Sequence, residues 1–175
     1  MRKFNIILVL VLFSLTLAGC DMFTWRKYSN RENRFSFIMP KNWGVDEDTA
    51  NAVLAIYIPK ENPKDTFTSN IRVVTENLTQ PIDLATYFDV NREEFRHVFR
   101  KMGDITEGQG MSGFVRHQWI AFTAPLNDGK TLIRAISAVW IKDKRVYVFT
   151  CVMDLRRADK IEPLFRKMLA SFRIW

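Results

Sequence analysis

Phe35-Ser36-Phe37-Ile38-Met39-Pro40-Lys41-Asn42-Trp43 sets large apolar side chains on every second residue, then a proline, then a tryptophan. Side chains alternate between the two faces of a strand, so Phe35, Phe37 and Met39 share one face. Pro40 brings no amide proton to a ladder and stops the run. Trp43 follows closely enough to cover an edge. The stretch reads as a buried strand closing in a tight turn.

The pattern continues outward from there. Val53 to Ile58 is a second apolar run, closed by Pro59, and Ile71 to Leu78 is a third, rich in β-branched residues. Pro63-Lys64-Asp65 between them reads as a turn. A helix is predicted next. Asp83 is its N-cap, and Leu84, Tyr87, Phe88, Asn91, Phe95, Val98, Phe99 and Met102 recur at helical spacing until Gly103 ends it. Its other face carries Arg92, Glu93, Arg96, Arg100 and Lys101. Val115 to Ala124 and Leu132 to Ile141 flank the hairpin signal Asn127-Asp128-Gly129-Lys130. Arg145 to Met153 follows a tight turn at Lys142-Asp143-Lys144. A last helix is predicted over Lys160 to Phe172, with Asp159 and Glu162 as a capping box and Ile161, Leu164, Phe165, Met168, Leu169 and Phe172 as its apolar stripe. Three strands, a helix, three or four strands and a helix make an α+β chain. The expected architecture is an α/β/α sandwich, with a central antiparallel sheet of about six or seven strands and two main helices.

Tyr28-Ser29-Asn30 followed by Phe-Ser-Phe-x-x-Pro-x-x-Trp at 35–43 resembles the opening of PsbP-like domains. These include the extrinsic PsbP protein of photosystem II and the DcrB-like bacterial lipoproteins. Met168-Leu169-Ala170-Ser171-Phe172 resembles the family's last helix, which often closes in Ser-Phe. The resemblance covers about 28–175. It implies an α/β/α sandwich and accessory or assembly roles, mostly without catalysis, and carries over no catalytic residue.

Composition agrees with one globular domain: 175 residues, 47% hydrophobic, with 7 Gly, 6 Pro and 2 Cys. Disorder, collagen-like repeats and a disulfide scaffold are excluded. Met1-Arg2-Lys3 and the apolar Phe4 to Leu17 form a secretory leader, ending in Leu17-Ala18-Gly19-Cys20. That ending matches the bacterial lipobox, whose chemistry needs a thiol to carry a diacylglyceryl group. The expected organisation is a signal peptide at 1–19, cleaved before the lipidated Cys20, then a tether at 20–29 and a domain at 30–175. The protein would be held to a membrane through Cys20, because two or three acyl chains anchor stably. Asp21 resembles the sorting residue that retains enteric lipoproteins at the inner membrane. The periplasmic face of that membrane is favoured, with the outer membrane as the alternative. Met22, Phe23 and Trp25 either sit in the interface or cap the domain's own core.

The candidate chemistry is thin. Gly108-Gln109-Gly110-Met111-Ser112-Gly113 spells G-x-G-x-x-G, but a strand follows it, where a nucleotide site needs a helix. Ser112, His97 and His117 offer hydroxyl and imidazole groups without a triad pattern. Asp46, Glu47 and Asp48 are adjacent carboxylates, read as a solvated loop. Cys151 alternates with Tyr147, Phe149 and Met153 and reads as a buried apolar residue. The expectation is no catalytic residue, no metal and no cofactor. The net charge of +7 suits a solvated surface or anionic lipid headgroups, and nucleic acid is not an expected partner. The leading reading is a non-enzymatic accessory or interaction module with an envelope protein partner. The alternative is a carrier or sensor of a small apolar ligand or lipid, suggested by 14 Phe and 5 Trp.

Overall fold

The computed structural model describes residues 24–175, apart from 64, 66, 100 and 127. The expected leader, Cys20, Asp21, Met22 and Phe23 lie outside the described residues, as do Lys64, Arg100 and Asn127.

The aromatic strand forms as expected. Strand β2 (Phe35–Pro40) pairs antiparallel with β1 (Trp25–Asn30), from Trp25 opposite Pro40 to Asn30 opposite Phe35. Residues 25–29, expected as tether, are therefore strand. Trp25 and Tyr28 lean on the core, but Arg26, Lys27 and Ser29 are exposed, and this polar face hid the strand. On the other side of β2 lies β10 (Arg173–Ile174), paired at Ser36 and Phe35.

This small sheet is separate from the central one. The central sheet has seven antiparallel strands in the order β3-β4-β5-β9-β8-β7-β6. In chain order they are β3 (Gly44–Asp46), β4 (Leu54–Tyr57), β5 (Asn70–Asn77), β6 (Gly103–Ser112), β7 (Val115–Pro125), β8 (Leu132–Lys142) and β9 (Arg145–Asp154). Asp143 and Lys144, at φ 51° and 60°, turn β8 into β9. Two successive left-handed residues match the twist of a hairpin.

Helix α1 (Leu84–Val98) covers one face of this sheet, over β7 and β8. Asp83 caps it as predicted: its carboxylate accepts from the Thr86 amide at 2.9 Å and the Thr86 hydroxyl at 2.7 Å. Phe95 and Phe99 lie 5.5 and 5.2 Å from the Phe122 ring. Val98 is 68% exposed, so the expected apolar stripe is wider than the buried one. The helix ends at Phe99, whose amide reaches the Phe95 carbonyl, and Gly103 instead begins β6.

Helix α2 (Ala158–Ser171) and the small sheet cover the other face. A 3-10 turn at Leu155–Arg157, capped by Asp154, leads into α2. That early start makes Asp159 a residue of the first turn, and the N-cap is Arg157 with no side-chain cap bond. The capping box does not form. Glu162 pairs instead with Arg134 at 3.3 Å and Arg166 at 2.6 Å.

The core is largest between α2, the small sheet and the central sheet. Phe172, wholly buried, is its hub: Trp140, Phe149 and Phe35 lie 4.6, 5.4 and 5.5 Å from its ring. Tyr147, Phe149, Cys151 and Met153 all point there, as their alternation predicts.

Candidate functional site

The chain's first described residues are fastened to the domain. The Lys41 amide donates to the Thr24 carbonyl at 2.8 Å, and the Arg26 guanidinium donates to the Trp43 carbonyl at 3.2 Å. The Lys167 ammonium lies 4.3 Å from the centre of the Trp25 ring, a cation–π contact. Trp25 therefore packs on the domain's own side chains.

Beside this junction is a cleft of about 420 Å³. One wall is Trp43, Ile58 and Pro59; the other is the first turns of α2, with Ile161 and Leu164. Trp43, Ile58 and Ile161 are nearly buried. Lys60, Arg157 and Lys160 stand around this apolar floor with one carboxylate, Glu61. Lys160 Nζ is 3.1 Å and Arg157 Nε 3.8 Å from Glu61 Oε1. The Arg157 side chain is only 14% exposed, and its Nε–H has no hydrogen-bond partner among the described residues. Trp43 reads from the sequence as an edge cover, and nothing local distinguishes Arg157 among the 26 Lys and Arg residues. The cleft joins residues about a hundred positions apart, and no local pattern marks it.

The hairpin β6–β7 brings Ser112 and His117 together. Ser112 Oγ is 3.4 Å from His117 Nδ1, both residues buried. Yet Ser112 donates its proton to the Leu169 carbonyl at 3.0 Å. The imidazole, its pKa pushed below the ordinary value by burial, lies tilted against the Trp140 ring at 5.0 Å. A hydroxyl whose proton faces a carbonyl is not delivered to a base, so the pair is built as packing and not as a nucleophile. His97 lies exposed on α1.

The glycines of the G-x-G-x-x-G string have a packing role. Gly108 lies opposite Trp119 and Gly110 opposite His117 in the ladder. A Cβ at Gly108 would meet Trp119 Cζ2 at 2.7 Å, and one at Gly110 would meet His117 Cε1 at 2.8 Å. The missing side chains make room for these two rings. Gly113, at φ 63°, makes the turn into β7.

The carboxylates at 46–48 turn apart. Asp46 accepts from the Asp48 amide at 3.0 Å, and Glu47 accepts from the Tyr28 hydroxyl at 2.6 Å. Cys151 is fully buried, and burial pushes its thiol pKa far up, away from the thiolate. The basic residues of the helices are largely engaged. Arg92 pairs with Asp89 and Glu107, Arg96 with Glu93, and Arg156 with Asp154. No helix among the described residues is long and apolar enough to cross a membrane.

The chain matches no protein-family model and no curated protein sequence. Its likeness is in structure. The solution structure of cyanobacterial PsbP from Synechocystis superposes with a TM-score of 0.64 at 13% identity, over 90% of this chain and 96% of that one. The chain has a PsbP-like fold. LpqN, a Mycobacterium tuberculosis protein involved in cell envelope biogenesis, gives a TM-score of 0.60 at 13% identity, over 89% of this chain and 87% of that one. The Saccharomyces cerevisiae Ran-binding protein Mog1p gives 0.55 at 12% identity, over 87% and 96%. At such identities the PsbP-like likeness is one of fold alone, and the cleft stands on this chain's own side chains.

Proposed function

We propose that this is a lipid-anchored, non-enzymatic protein of the bacterial envelope, an accessory or interaction module of a membrane-associated complex. The fastening of Thr24 and Trp25 to the domain carries this reading. Thr24 is four residue steps from Cys20, and those steps reach at most about 14 Å. A domain lipidated at Cys20 is then held close against the bilayer, in one place for a partner to find. Asp21 favours the periplasmic face of the inner membrane, with the outer membrane as the alternative. LpqN's involvement in envelope biogenesis and Mog1p's binding of Ran accord with an envelope place and a protein partner. The packing roles of Ser112, His117 and Cys151 support a function without covalent chemistry.

The apolar cleft favours a second reading, a carrier or sensor of a small apolar ligand or lipid. Its volume lies in the range of small-molecule sites.

Two experiments on cells making the protein test the first reading. Alkyne-palmitate should label the wild type but not Cys20→Ala, and only the wild type should stay with membranes. Cross-linking in those membranes should join the wild type to one recurrent protein. Label retained by Cys20→Ala, or a wild type that cross-links to nothing, counts against it.

A further inference from the structure

We propose that the cleft between Trp43 and the start of α2 binds an amphiphile with an aliphatic chain and an anionic head, carboxylate or phosphate, and that Arg157 holds the head. The inference rests on the carrier reading and adds to it the chemistry of the ligand.

The apolar half of the argument is the floor. Trp43, Ile58 and Ile161 are 3%, 2% and 2% exposed, and Leu164 extends the wall. With Pro59 they form the apolar part of the cleft of about 420 Å³, whose remaining lining is Asn42 and the charged side chains. Such a surface takes an aliphatic chain and repels a wholly polar solute.

The charged half is Arg157, whose Nε–H lacks a hydrogen-bond acceptor among the described residues. A guanidinium N–H taken out of water without an acceptor costs free energy, and a separation of 3.8 Å from Glu61 is too long for a hydrogen bond. An oxygen of a bound head group supplies the missing acceptor. Arginine's planar fork suits carboxylate and phosphate alike. Lys60 and Lys160 add positive charge at the mouth, so three cations face one carboxylate. Glu61 touches both Lys160 and Arg157, from a side chain 48% exposed. Its carboxylate marks the place an incoming anion would take, and it competes for that place. Loss of Glu61's charge should therefore strengthen binding, and loss of Arg157 should weaken it.

The test uses the full-length protein in phosphatidylcholine nanodiscs and three photoreactive probes with the same diazirine chain. One is a fatty acid, one the matching alcohol, and one an anionic phosphatidylglycerol. After irradiation, labelled peptides are mapped by mass spectrometry. The expected result is label on 58–61 and 157–164 from an anionic probe, about tenfold above the alcohol. Fatty acid or phosphatidylglycerol as the stronger label names the source, free acid or membrane lipid. Arg157→Gln should lose most of the label, and Glu61→Gln should gain it. If Arg157→Gln does not fold, the double variant Lys60→Gln/Lys160→Gln, at exposed positions, decides in its place. Alcohol labelling the cleft as strongly as the anions overturns the head-group inference and leaves the carrier reading standing. No label on these peptides from any probe overturns both. Wild-type labelling in the folded Arg157 variant, or in the double variant, overturns the role given to the cations.

Discussion

Ser171 Oγ accepts the amide proton of Ile38 at 2.9 Å, across the gap between the end of α2 and the middle of β2. The same hydroxyl donates to the Met168 carbonyl at 2.7 Å. β10 pairs with β2 only at Phe35 and Ser36, and the Ser171 side chain extends the contact along β2 ahead of where β10 begins. This gives the Ser-Phe ending a physical meaning: the serine stitches helix to strand, and Phe172 fills the core behind it. Ser171→Ala leaves a half-buried amide without its partner and should cost about 1–2 kcal/mol. Urea unfolding reads this as a lower midpoint at an unchanged slope. An unchanged midpoint would mean the stitch contributes nothing.

Gly108 tests the packing role of the glycines. The Trp119 ring occupies the space a side chain would need, with the Arg166 guanidinium 4.9 Å from its centre. Gly108→Val must push that ring aside and should destabilise by about 1–3 kcal/mol. Tryptophan emission should move to longer wavelength as Trp119 is displaced. Wild-type stability and emission in the variant would sink the cross-strand account.

His117 makes stability depend on pH. Burial lowers its folded pKa below the ordinary 6.5. As pH falls below that ordinary value, the unfolded chain takes up a proton the folded protein does not. Stability therefore falls with pH below 6.5 and stops falling on this account at the lowered folded value. His117→Gln should flatten the slope of urea midpoint against pH in that window. Equal slopes in both proteins would show that another group carries the dependence.

Cys151 should be inert in the folded protein. In Cys20→Ala it is the only thiol left. A maleimide at pH 8 should leave the native protein unmodified and label it fully in urea. Rapid native labelling would contradict both its burial and its raised pKa.

What the sequence disclosed follows from where the apolar residues lie. β2, β5, β7, β8 and β9 are legible because they carry large apolar side chains, buried on at least one face. β6, with the sequence GDITEGQGMS, is not. Its partners are the rings of Trp119 and His117 on the neighbouring strand, reaching across glycines, so the alternation belongs to β7 and not to β6. β1 was hidden by its charged residues, although it pairs along its whole length with the most legible strand of the chain. The predicted capping box failed because the 3-10 turn moved the helix start ahead of Asp159. The cleft was not legible, since its charge and its apolar floor come from segments that only the fold brings together.

The central claim is that Cys20 anchors this domain where it can hold a partner. Native mass spectrometry of the full-length protein, released gently from its own membranes, tests it most directly. The account predicts a chain that begins at Cys20, carries its acyl groups and travels with a second polypeptide. A chain that begins at Met1 or bears no acyl group, or one that is always alone, would contradict it.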